Sequence, residues 1–285
     1  MSSVQATYSD RSVDQLSAKN FRRLSAFVSS YSGIKMPSGK QTMLEGRLRR
    51  RMRSTGFESL DEYCAYLFDN GGLDTEAVAL IDAVTTNKTD FFREPKHFEY
   101  LERQVLPAFV RGGRTSFRLW SAACSVGAEP YTIAMVMAGF AERSRPIDYF
   151  ILATDLSTDV LAAARKGIYP EGMLAPVPNA YMQRFVKRSS EPNNNLVRIA
   201  PALRSKVGFA RLNFMDDAYP VGEPMDVIFC RNVLIYFDKP TQAKVLGRLC
   251  DRLAPGGYLF IGHSESITGF NLPVRTVANT IFQKI

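Results

Sequence analysis

The stretch LWSAACSVGAEPYTIAMVM, residues Leu119–Met137, decides the fold. It begins as the end of an apolar strand, passes through a turn of small residues and continues as a long apolar helix. Such a turn lets a ligand approach the backbone closely, near the positive end of the helix. Gly127 is the only glycine here, whereas a dinucleotide loop has three, and the stretch has no Lys-Ser/Thr pair for a triphosphate. The turn therefore predicts a ligand that need not present a phosphate.

The sequence around this stretch alternates between strands and helices. Strands are predicted near residues 117–123, 149–154, 207–212, 225–230 and 257–262, and helices near 127–142, 157–166 and 239–253. This alternation predicts an α/β fold, with a doubly wound parallel sheet between two layers of helices. The last residues, VRTVANTIFQKI, predict two short strands joined by a turn at Asn279, so the sheet should finish in an antiparallel hairpin.

Residues 1–86 read instead as an all-α domain, with apolar residues at helical spacing. Residues 87–115 are predicted to be an interdomain segment, and residues 116–285 form the α/β domain. Two alternating runs flank a Pro/Asn turn at about residues 180–208, which predicts a small inserted antiparallel β-subdomain.

Composition narrows the class of protein. No apolar run reaches the roughly 18 residues that span a bilayer, and the N-terminus lacks the apolar segment of a secretory signal. The four cysteines are scattered, which disfavours a zinc site or a disulfide framework and suits a reducing cytoplasm. The net charge of +8 is concentrated in KQTMLEGRLRRRMRS, residues 40–54. Two interpretations of this basic stretch are open: a solvated helix face, or a surface that binds an acidic partner.

Polar residues follow the predicted central strands, where a doubly wound sheet binds its ligand. Asp155 ends ILATD and suits the hydroxyls of a ribose, while the amide of Asn213 suits an adenine edge. Glu129 opens the helix after the small-residue turn and could attract a sulfonium or amino group. Each residue alone is equally well explained as a structural cap, but their order predicts a nucleoside without a pyrophosphate, such as S-adenosylmethionine.

Five motifs together resemble the CheR-type chemotaxis receptor methyltransferases: TTNKTDFFRE, WSAACSVGAEPYTIA, ATDLS, CRNVLIYFD and GGYLFIGHSE. The resemblance runs over nearly the whole chain. It implies a Rossmann-like class I methyltransferase that uses S-adenosyl-L-methionine, releases S-adenosyl-L-homocysteine and esterifies glutamate side chains of methyl-accepting chemotaxis receptors. It further implies a cytoplasmic monomer that is recruited to receptor arrays, has no nucleic-acid partner, does not insert into the membrane and needs no metal.

The resemblance also implies roles for individual residues. Residues around the cofactor would be Asn87, Thr89, Arg93, Glu129 beside the methionine moiety, Asp155 on the ribose, Asn213 and Phe214 on the adenine side, and Arg231 and Asn232 at the far edge. Arg93 and Tyr236 would orient the acceptor. Residues that would dock acidic methylation helices are Arg47, Arg49, Arg50, Arg51 and Arg53.

The expected chemistry needs no general base. A glutamate carboxylate has an unperturbed pKa of about 4.3, so it is already ionised at neutral pH. The enzyme must place the anionic oxygen in line with the methyl carbon, at roughly 3 Å, and exclude water. The only two histidines, His97 and His263, are accordingly expected to be structural.

Four alternatives remain at the level of the sequence. The chain could sense S-adenosylmethionine without catalysis, or methylate another acceptor. A nucleic-acid methyltransferase is disfavoured, because residues 230–233 lack an Asn/Asp-Pro-Pro-aromatic motif, and a nicotinamide oxidoreductase is disfavoured by the single glycine and the terminal hairpin. The loop RSSEPNNN, residues 188–195, has no glycine, so we do not expect it to hold a receptor C-terminal pentapeptide.

Overall fold

The computed structural model describes residues 14–189, 191 and 194–285, and the chain divides into two compact units. The helical unit contains the described residues up to Tyr31 together with Lys35–Val84. The sheet unit contains Ser32–Ile34 and Thr85–Ile285. No helix of the described residues is long and apolar enough to cross a membrane.

Among its described residues, the helical unit has four α-helices: α1 (Ala18–Ser32), α2 (Gln41–Thr55), α3 (Leu60–Asp69) and α4 (Leu73–Val84). Ser59 caps α3, because its side chain accepts a hydrogen bond from the backbone N–H of Glu62. Leu44 and Leu48 of α2 are fully buried. The apolar stripe of the basic helix therefore faces the core of this unit, as its spacing predicts.

The sheet unit is organised around seven strands in the order β6-β2-β1-β7-β8-β10-β9. Their bounds are β1 Ser116–Ala122, β2 Asp148–Asp155, β6 Val207–Arg211, β7 Met225–Cys230, β8 Leu253–Ile261, β9 Val274–Ala278 and β10 Ile281–Lys284. The first five strands in this order pair in parallel, while β10 is antiparallel to both β8 and β9. The predicted doubly wound sheet with a terminal hairpin is confirmed.

Helices cover both faces of this sheet: α5 (Pro95–Tyr100), α6 (Leu106–Arg111), α7 (Ala128–Arg143), α8 (Thr158–Lys166), α9 (Asn179–Phe185), α10 (Pro201–Arg204) and α11 (Lys239–Arg252). Side chains of the central strand β1 alternate between the two faces. Leu119 enters one apolar cluster and Trp120 the other. All six residues of β7 are buried, which is why the central strands read as continuous apolar runs.

Residues 87–115 belong to the sheet unit. They form α5, a π-helical turn at Leu101–Val105 and α6. Leu101, Val105 and Leu106 are fully buried in the core against one face of the sheet. The stretch expected to be only an interdomain segment is thus a packed part of the sheet unit, because its apolar side chains complete that core.

A small antiparallel sheet has the order β3-β5-β4, with β3 at Ile168–Pro170, β4 at Val186–Arg188 and β5 at Leu196–Ile199. The small sheet was predicted, but its first strand lies before residue 180, and residues from Val207 onward belong to the large sheet. Gly167 explains why the small sheet begins before residue 180. It ends α8 with a φ of 60°, and its carbonyl accepts a 2.9 Å hydrogen bond from the N–H of Ile199. In the loop between β4 and β5, residues 190, 192 and 193 lie outside the described residues.

Candidate functional site

The candidate site lies at the carboxyl ends of the parallel strands, which we call the carboxyl edge. From β1 the chain proceeds outward to β2 and β6 on one side, and β7 and β8 lie on the other side. The point between β1 and β7 is therefore a topological switch point, where open α/β sheets bind their ligands. The strands β1, β2 and β7 all end at this edge, and the segments that follow them begin there.

Backbone strain is concentrated at the same place. Among the described residues, six residues other than glycine have positive φ angles, and five of these lie just before α5, after β1 or after β7. These five are Phe92, Glu94, Ala123, Ser125 and Asn232. Each such conformation costs about 1–3 kcal/mol, and strained residues cluster at functional sites.

Gly127 closes the turn after β1 with a φ of 92°. A Cβ atom at this position would lie 2.9 Å from both the Cβ of Ala164 and the hydroxyl oxygen of Tyr169. The glycine is therefore required by the conformation of the turn and by the close approach of its neighbours.

Asp155 connects the segments after β1 and β2. Its Oδ2 accepts a 2.8 Å hydrogen bond from the N–H of Ser125, and its Oδ1 accepts a 3.0 Å bond from the N–H of Ser157. The carboxylate is 9% exposed. It is thus fixed in place at the carboxyl edge, in the position that the sequence assigns to a ribose-binding acid.

Arg231 occupies the centre of a buried group of charges. Its Nη1 lies 3.0 Å from Oε2 of Glu129, and its Nη2 lies 3.0 Å from Oε2 of Glu94. Its Nη2 also donates to the carbonyl oxygen of Arg93. The side chain is 2% exposed. The guanidinium therefore lies behind the carboxyl edge, where it joins three segments, instead of closing an open edge as the resemblance implies.

The two carboxylates that contact Arg231 differ in their pKa. Burial raises the pKa of Glu129 above its ordinary value, even though Arg231 and a 2.7 Å hydrogen bond from Ser121 favour the ion. Burial also opposes ionisation of Glu94. There the charge of Arg231 and the hydrogen bonds from Asn232, Arg231 and the N–H of His263 outweigh it, so the pKa of Glu94 is lowered.

Glu265 holds the segment after β7. Its Oε2 accepts hydrogen bonds from the N–H of Asn232 at 3.0 Å and of Gly262 at 2.6 Å, and its Oε1 accepts one from the N–H of Leu234 at 2.8 Å. Burial raises the pKa of this carboxyl, although the backbone donors favour its charged form. Glu265 fixes both Asn232 and the 3-10 turn Leu234–Tyr236, in which Tyr236 is half-buried.

Sequence reasoning assigned no role to Glu94 or Glu265. Both stand within quoted motifs, TTNKTDFFRE and GGYLFIGHSE, and that is the only signal that could have found them. Apart from Gly262, three residues from Glu265, the hydrogen-bond partners of these two carboxylates are 31 to 169 residues away along the chain, so no local pattern records these contacts.

The segment before α5 lies against the turn after β1. The carbonyl oxygen of Asn87 accepts a 2.8 Å hydrogen bond from the hydroxyl of Ser125. Thr89 is half-buried. The Nη1 of Arg93 donates to the carbonyl oxygen of Lys88 at 3.2 Å, so this guanidinium contacts its own segment.

Asn213 and Phe214 follow β6. The Oδ1 of Asn213 accepts a 3.0 Å hydrogen bond from the N–H of Met215. The ring of Phe214 is 8% exposed and packs against Tyr219 and Phe237. The structure thus places Phe214 mainly in the core, and Asn213 in the turn beside it.

The histidines lie together behind Glu94. The Nε2 of His97 is 2.8 Å from the hydroxyl oxygen of Thr280, and its ring centroid is 4.9 Å from that of His263. Burial, together with the nearby charge of Arg231, lowers the pKa of His97 to about 3. His97 is therefore neutral at physiological pH.

The five arginines of α2 fall into two groups. In the helical unit, Arg51 forms hydrogen bonds of 2.9 and 2.5 Å with the carboxylate of Glu76. Arg47 and Arg49 donate to the carbonyl oxygens of Val84 and Asp14. Arg50 and Arg53 are exposed.

The sheet, its terminal hairpin and the acid after β2 define a class I S-adenosylmethionine-dependent methyltransferase. Family models agree: one described as "CheR methyltransferase, SAM binding domain" matches residues 87–282, and one described as "CheR methyltransferase, all-alpha domain" matches residues 19–85. The chain belongs to the CheR methyltransferase family, and its cofactor is S-adenosylmethionine.

Curated relatives named chemotaxis protein methyltransferase match most of the chain. The protein of Escherichia coli is 40% identical over 253 residues, covering 89% of this chain and 86% of its own length. The protein of Salmonella typhimurium is 39% identical over 266 residues, covering 92% and 90%. The protein of Borreliella burgdorferi is 38% identical over 252 residues, covering 87% and 88%.

The donor set at the carboxyl edge fits this cofactor. Asp155 supplies a fixed carboxylate of the kind that binds ribose hydroxyls. In the strained turn Ala123–Gly127 a ligand can approach the backbone closely, and the turn lacks the Lys-Ser/Thr pair of a triphosphate loop. Glu129 places an acid at the start of α7, suited to a cationic group.

Proposed function

We propose that this chain transfers a methyl group from S-adenosylmethionine to glutamate side-chain carboxylates of methyl-accepting chemotaxis receptors, forming methyl esters. The observation that carries the proposal is an identity of 38% to 40% with chemotaxis protein methyltransferases over at least 87% of the chain. Both the helical unit and the sheet unit lie within the matched families, so the likeness extends beyond a shared cofactor fold.

The chemistry of a glutamate acceptor agrees with the groups at the carboxyl edge. The bound cofactor supplies an electrophilic methyl carbon on a positively charged sulfur. The carboxylate oxygen of the acceptor would form the new bond to that carbon, and the electron pair of the broken carbon–sulfur bond would stay on sulfur. Because no proton moves, the residues need only bind, orient and exclude water.

We assign the cofactor to residues of the carboxyl edge. Asp155 would hold the ribose, Glu129 the cationic methionine end and Asn213 the adenine, with Asn87 and Thr89 covering the turn after β1. Arg231 is buried, Asn232 is half-buried, and both donate hydrogen bonds to Glu94, so we assign them to positioning. Phe214 would contribute at most the small exposed part of its ring.

Arg93 and Tyr236 are the proposed groups for orienting the acceptor carboxylate. An arginine can hold a carboxylate by two parallel hydrogen bonds, and Arg93 is half-buried at the strained segment before α5. Tyr236 lies in the turn Leu234–Tyr236, whose backbone N–H at Leu234 donates a hydrogen bond to the carboxylate of Glu265. Both would contact the acceptor directly.

The basic helix α2 is the proposed docking surface for acidic methylation helices, and it would recruit a cytoplasmic enzyme to receptor arrays. Because Arg51 is paired with Glu76, and because Arg47 and Arg49 bind backbone carbonyls, the charges best placed for a partner are those of Arg50 and Arg53.

The proposal is tested by incubating the full chain with S-adenosylmethionine and a purified receptor signalling domain, then mapping methylated peptides by mass spectrometry. We expect methylation on glutamate residues of the receptor, and its loss when those residues are changed to alanine. Methylation confined to lysine, arginine or nucleic acid would overturn the proposal, as would cofactor binding without any transfer.

A further inference from the structure

Both histidines of the 285-residue chain lie in one cluster with Glu94. The Nδ1 of His97 is 3.5 Å from Oε2 of Glu94, and the Nε2 of His263 is 3.9 Å from the same oxygen. One donor atom from each of the three residues lies within 4.8 Å of the other two. The three donor atoms are therefore near enough to one another to contact a single ion.

The hydrogen bonds of Thr280 indicate the tautomer of His97. The Thr280 hydroxyl donates to the carbonyl oxygen of Asn279 at 2.7 Å, so its oxygen is the acceptor in the 2.8 Å contact with Nε2 of His97. Nε2 therefore carries the ring proton, and Nδ1 presents a lone pair. This Nδ1 belongs to a side chain that is 1% exposed and has no hydrogen-bond partner among the described residues.

A lone pair of His97 thus faces a carboxylate oxygen of Glu94 without a proton between them. A nitrogen lone pair and a carboxylate oxygen repel each other in a buried site unless a cation lies between them. Arg231 contacts the same oxygen from another side, but its charge is shared with Glu129. Glu94, Glu129 and Arg231 together carry one negative charge when all three are ionised, which leaves the cluster favourable for a cation.

We propose that Glu94, His97 and His263 form a binding site for a divalent transition-metal ion, with Zn²⁺ the best match. Two imidazole nitrogens and one carboxylate oxygen are a known three-residue zinc ligand set that leaves a fourth position for water. Zinc bonds of about 2.0–2.1 Å place tetrahedral ligands roughly 3.3 Å apart. Binding would therefore bring Nδ1 of His97 about 0.2 Å and Nε2 of His263 about 0.6 Å closer to Oε2 of Glu94, and the two ring nitrogens, which lie within 4.8 Å of each other, closer by up to about 1.5 Å.

The surroundings of the cluster are those of a metal site. The ring N–H of His97 is held by Thr280, while Oε1 of Glu94 accepts hydrogen bonds from Nδ2 of Asn232 at 3.1 Å and from the N–H of His263 at 3.2 Å. Such outer partners orient metal ligands. The side chain of His263 is 43% exposed, which gives an ion a path to the site.

A bound ion would connect the start of α5 to the segment after β8. Because Glu94 also binds Arg231 and Asn232, the ion would stabilise the segment after β7 as well. This site does not depend on the identity of the methyl acceptor.

The test uses the full chain without a polyhistidine tag, since the chain's own histidines are then the only ones present. We expect one Zn²⁺ per chain in competition with a chromophoric chelator. His263→Gln removes one of the three proposed ligands. Loss of a residue that only orients a ligand weakens metal binding roughly 10–100-fold, so this variant should weaken Zn²⁺ binding by at least that much. Zn²⁺ should also raise the Tm of the native chain more than that of the variant. His263 is exposed, so this variant should fold.

The absorption spectrum of bound Co²⁺ distinguishes binding at the histidines from binding at the four cysteines, all of which are buried. We expect the absorption of a nitrogen- and oxygen-ligated Co²⁺ centre, lost in His263→Gln. A thiolate-to-cobalt charge-transfer band, equal affinity in the variant, or no bound metal would each overturn the proposal.

Discussion

The guanidinium of Arg231 lies 3.0 Å from the carboxylate of Glu129, and this contact joins the end of β7 to the first turn of α7. Glu94 contacts the same guanidinium from the segment before α5. The segments at the carboxyl edge are therefore held together from behind by buried charge, which lets the strained residues of the edge keep their conformation.

Glu129→Gln should destabilise the sheet unit by about 1–3 kcal/mol, because the neutral amide cannot accept from both Arg231 and Ser121 as the carboxylate does and leaves one buried donor without its acceptor. Urea unfolding measures this change. Ser121→Ala, which removes only the neutral donor to Glu129, should cost about 1 kcal/mol. Equal stabilities for Glu129→Gln and the native chain would show that the ion pair contributes nothing.

Asp155→Asn should weaken S-adenosylhomocysteine binding about 10–100-fold, since hydrogen bonds to a charged group contribute roughly 1.5–3 kcal/mol. Isothermal titration calorimetry measures the Kd. Asp159→Asn is the matched control, because Asp159 is exposed in the first turn of α8. Similar affinities for the two variants would exclude Asp155 from the cofactor site.

Glu265→Gln should lower kcat more than it raises the KM for S-adenosylmethionine. The amide can accept from only one side, so at least one of the N–H groups of Asn232, Gly262 and Leu234 loses its acceptor, at a cost of about 1–3 kcal/mol. The turn that carries Tyr236 then loosens. Steady-state kinetics provide the test, with the exposed Ser264→Ala as control, and an unchanged kcat would remove Glu265 from the positioning role.

Much of the sheet could be predicted because its central strands are buried on both faces and bounded by polar residues. Asp155 was predictable from its place at the end of an apolar run, and its observed position at the carboxyl edge matches that expectation. The three-residue strand Ile168–Pro170 was missed, because so short a segment shows no alternation.

The buried charges could not be predicted. Arg231 meets Glu129 across 102 residues and Glu94 across 137, and nothing in the local sequence distinguishes a buried arginine from one at an open edge. The same holds for α2, where five of the seven residues 47–53 are arginines and the sequence does not distinguish paired from exposed ones. Only packing shows that Arg51 is paired and that Arg53 is exposed.

Acid should remove the contribution of Glu76 to the stability of the helical unit. The hydrogen bond from Arg51 lowers the pKa of Glu76 below its ordinary value of 4.5, against the opposing effect of burial. A lowered folded-state pKa stabilises the fold above the unfolded pKa, and this stabilisation disappears as the pH falls through the folded value.

The free energy of unfolding of the native chain should therefore exceed that of Glu76→Gln by about 1.5 kcal/mol at neutral pH. This difference should shrink toward zero as the pH falls below about 4. Urea unfolding across this pH range measures it. The exposed Glu58→Gln serves as control. A difference that grows in acid would contradict the assigned sign.

Reversing the charges of Arg50 and Arg53 should raise the KM for the receptor at least about tenfold and leave cofactor affinity unchanged, with an effect that weakens at high salt. The double variant Lys19→Glu with Arg22→Glu is the matched control, because it reverses two exposed charges on α1. Equal receptor KM values for the two double variants would remove α2 as the docking surface.

The most direct measurement of the acceptor chemistry is transfer of a radiolabelled methyl group from S-adenosylmethionine to receptor-containing membranes, followed by mild alkali. We predict that the label enters the receptor band and leaves as volatile methanol, as carboxyl methyl esters require. Label that stays on the protein through alkali would show nitrogen methylation and contradict the assignment of glutamate as the acceptor.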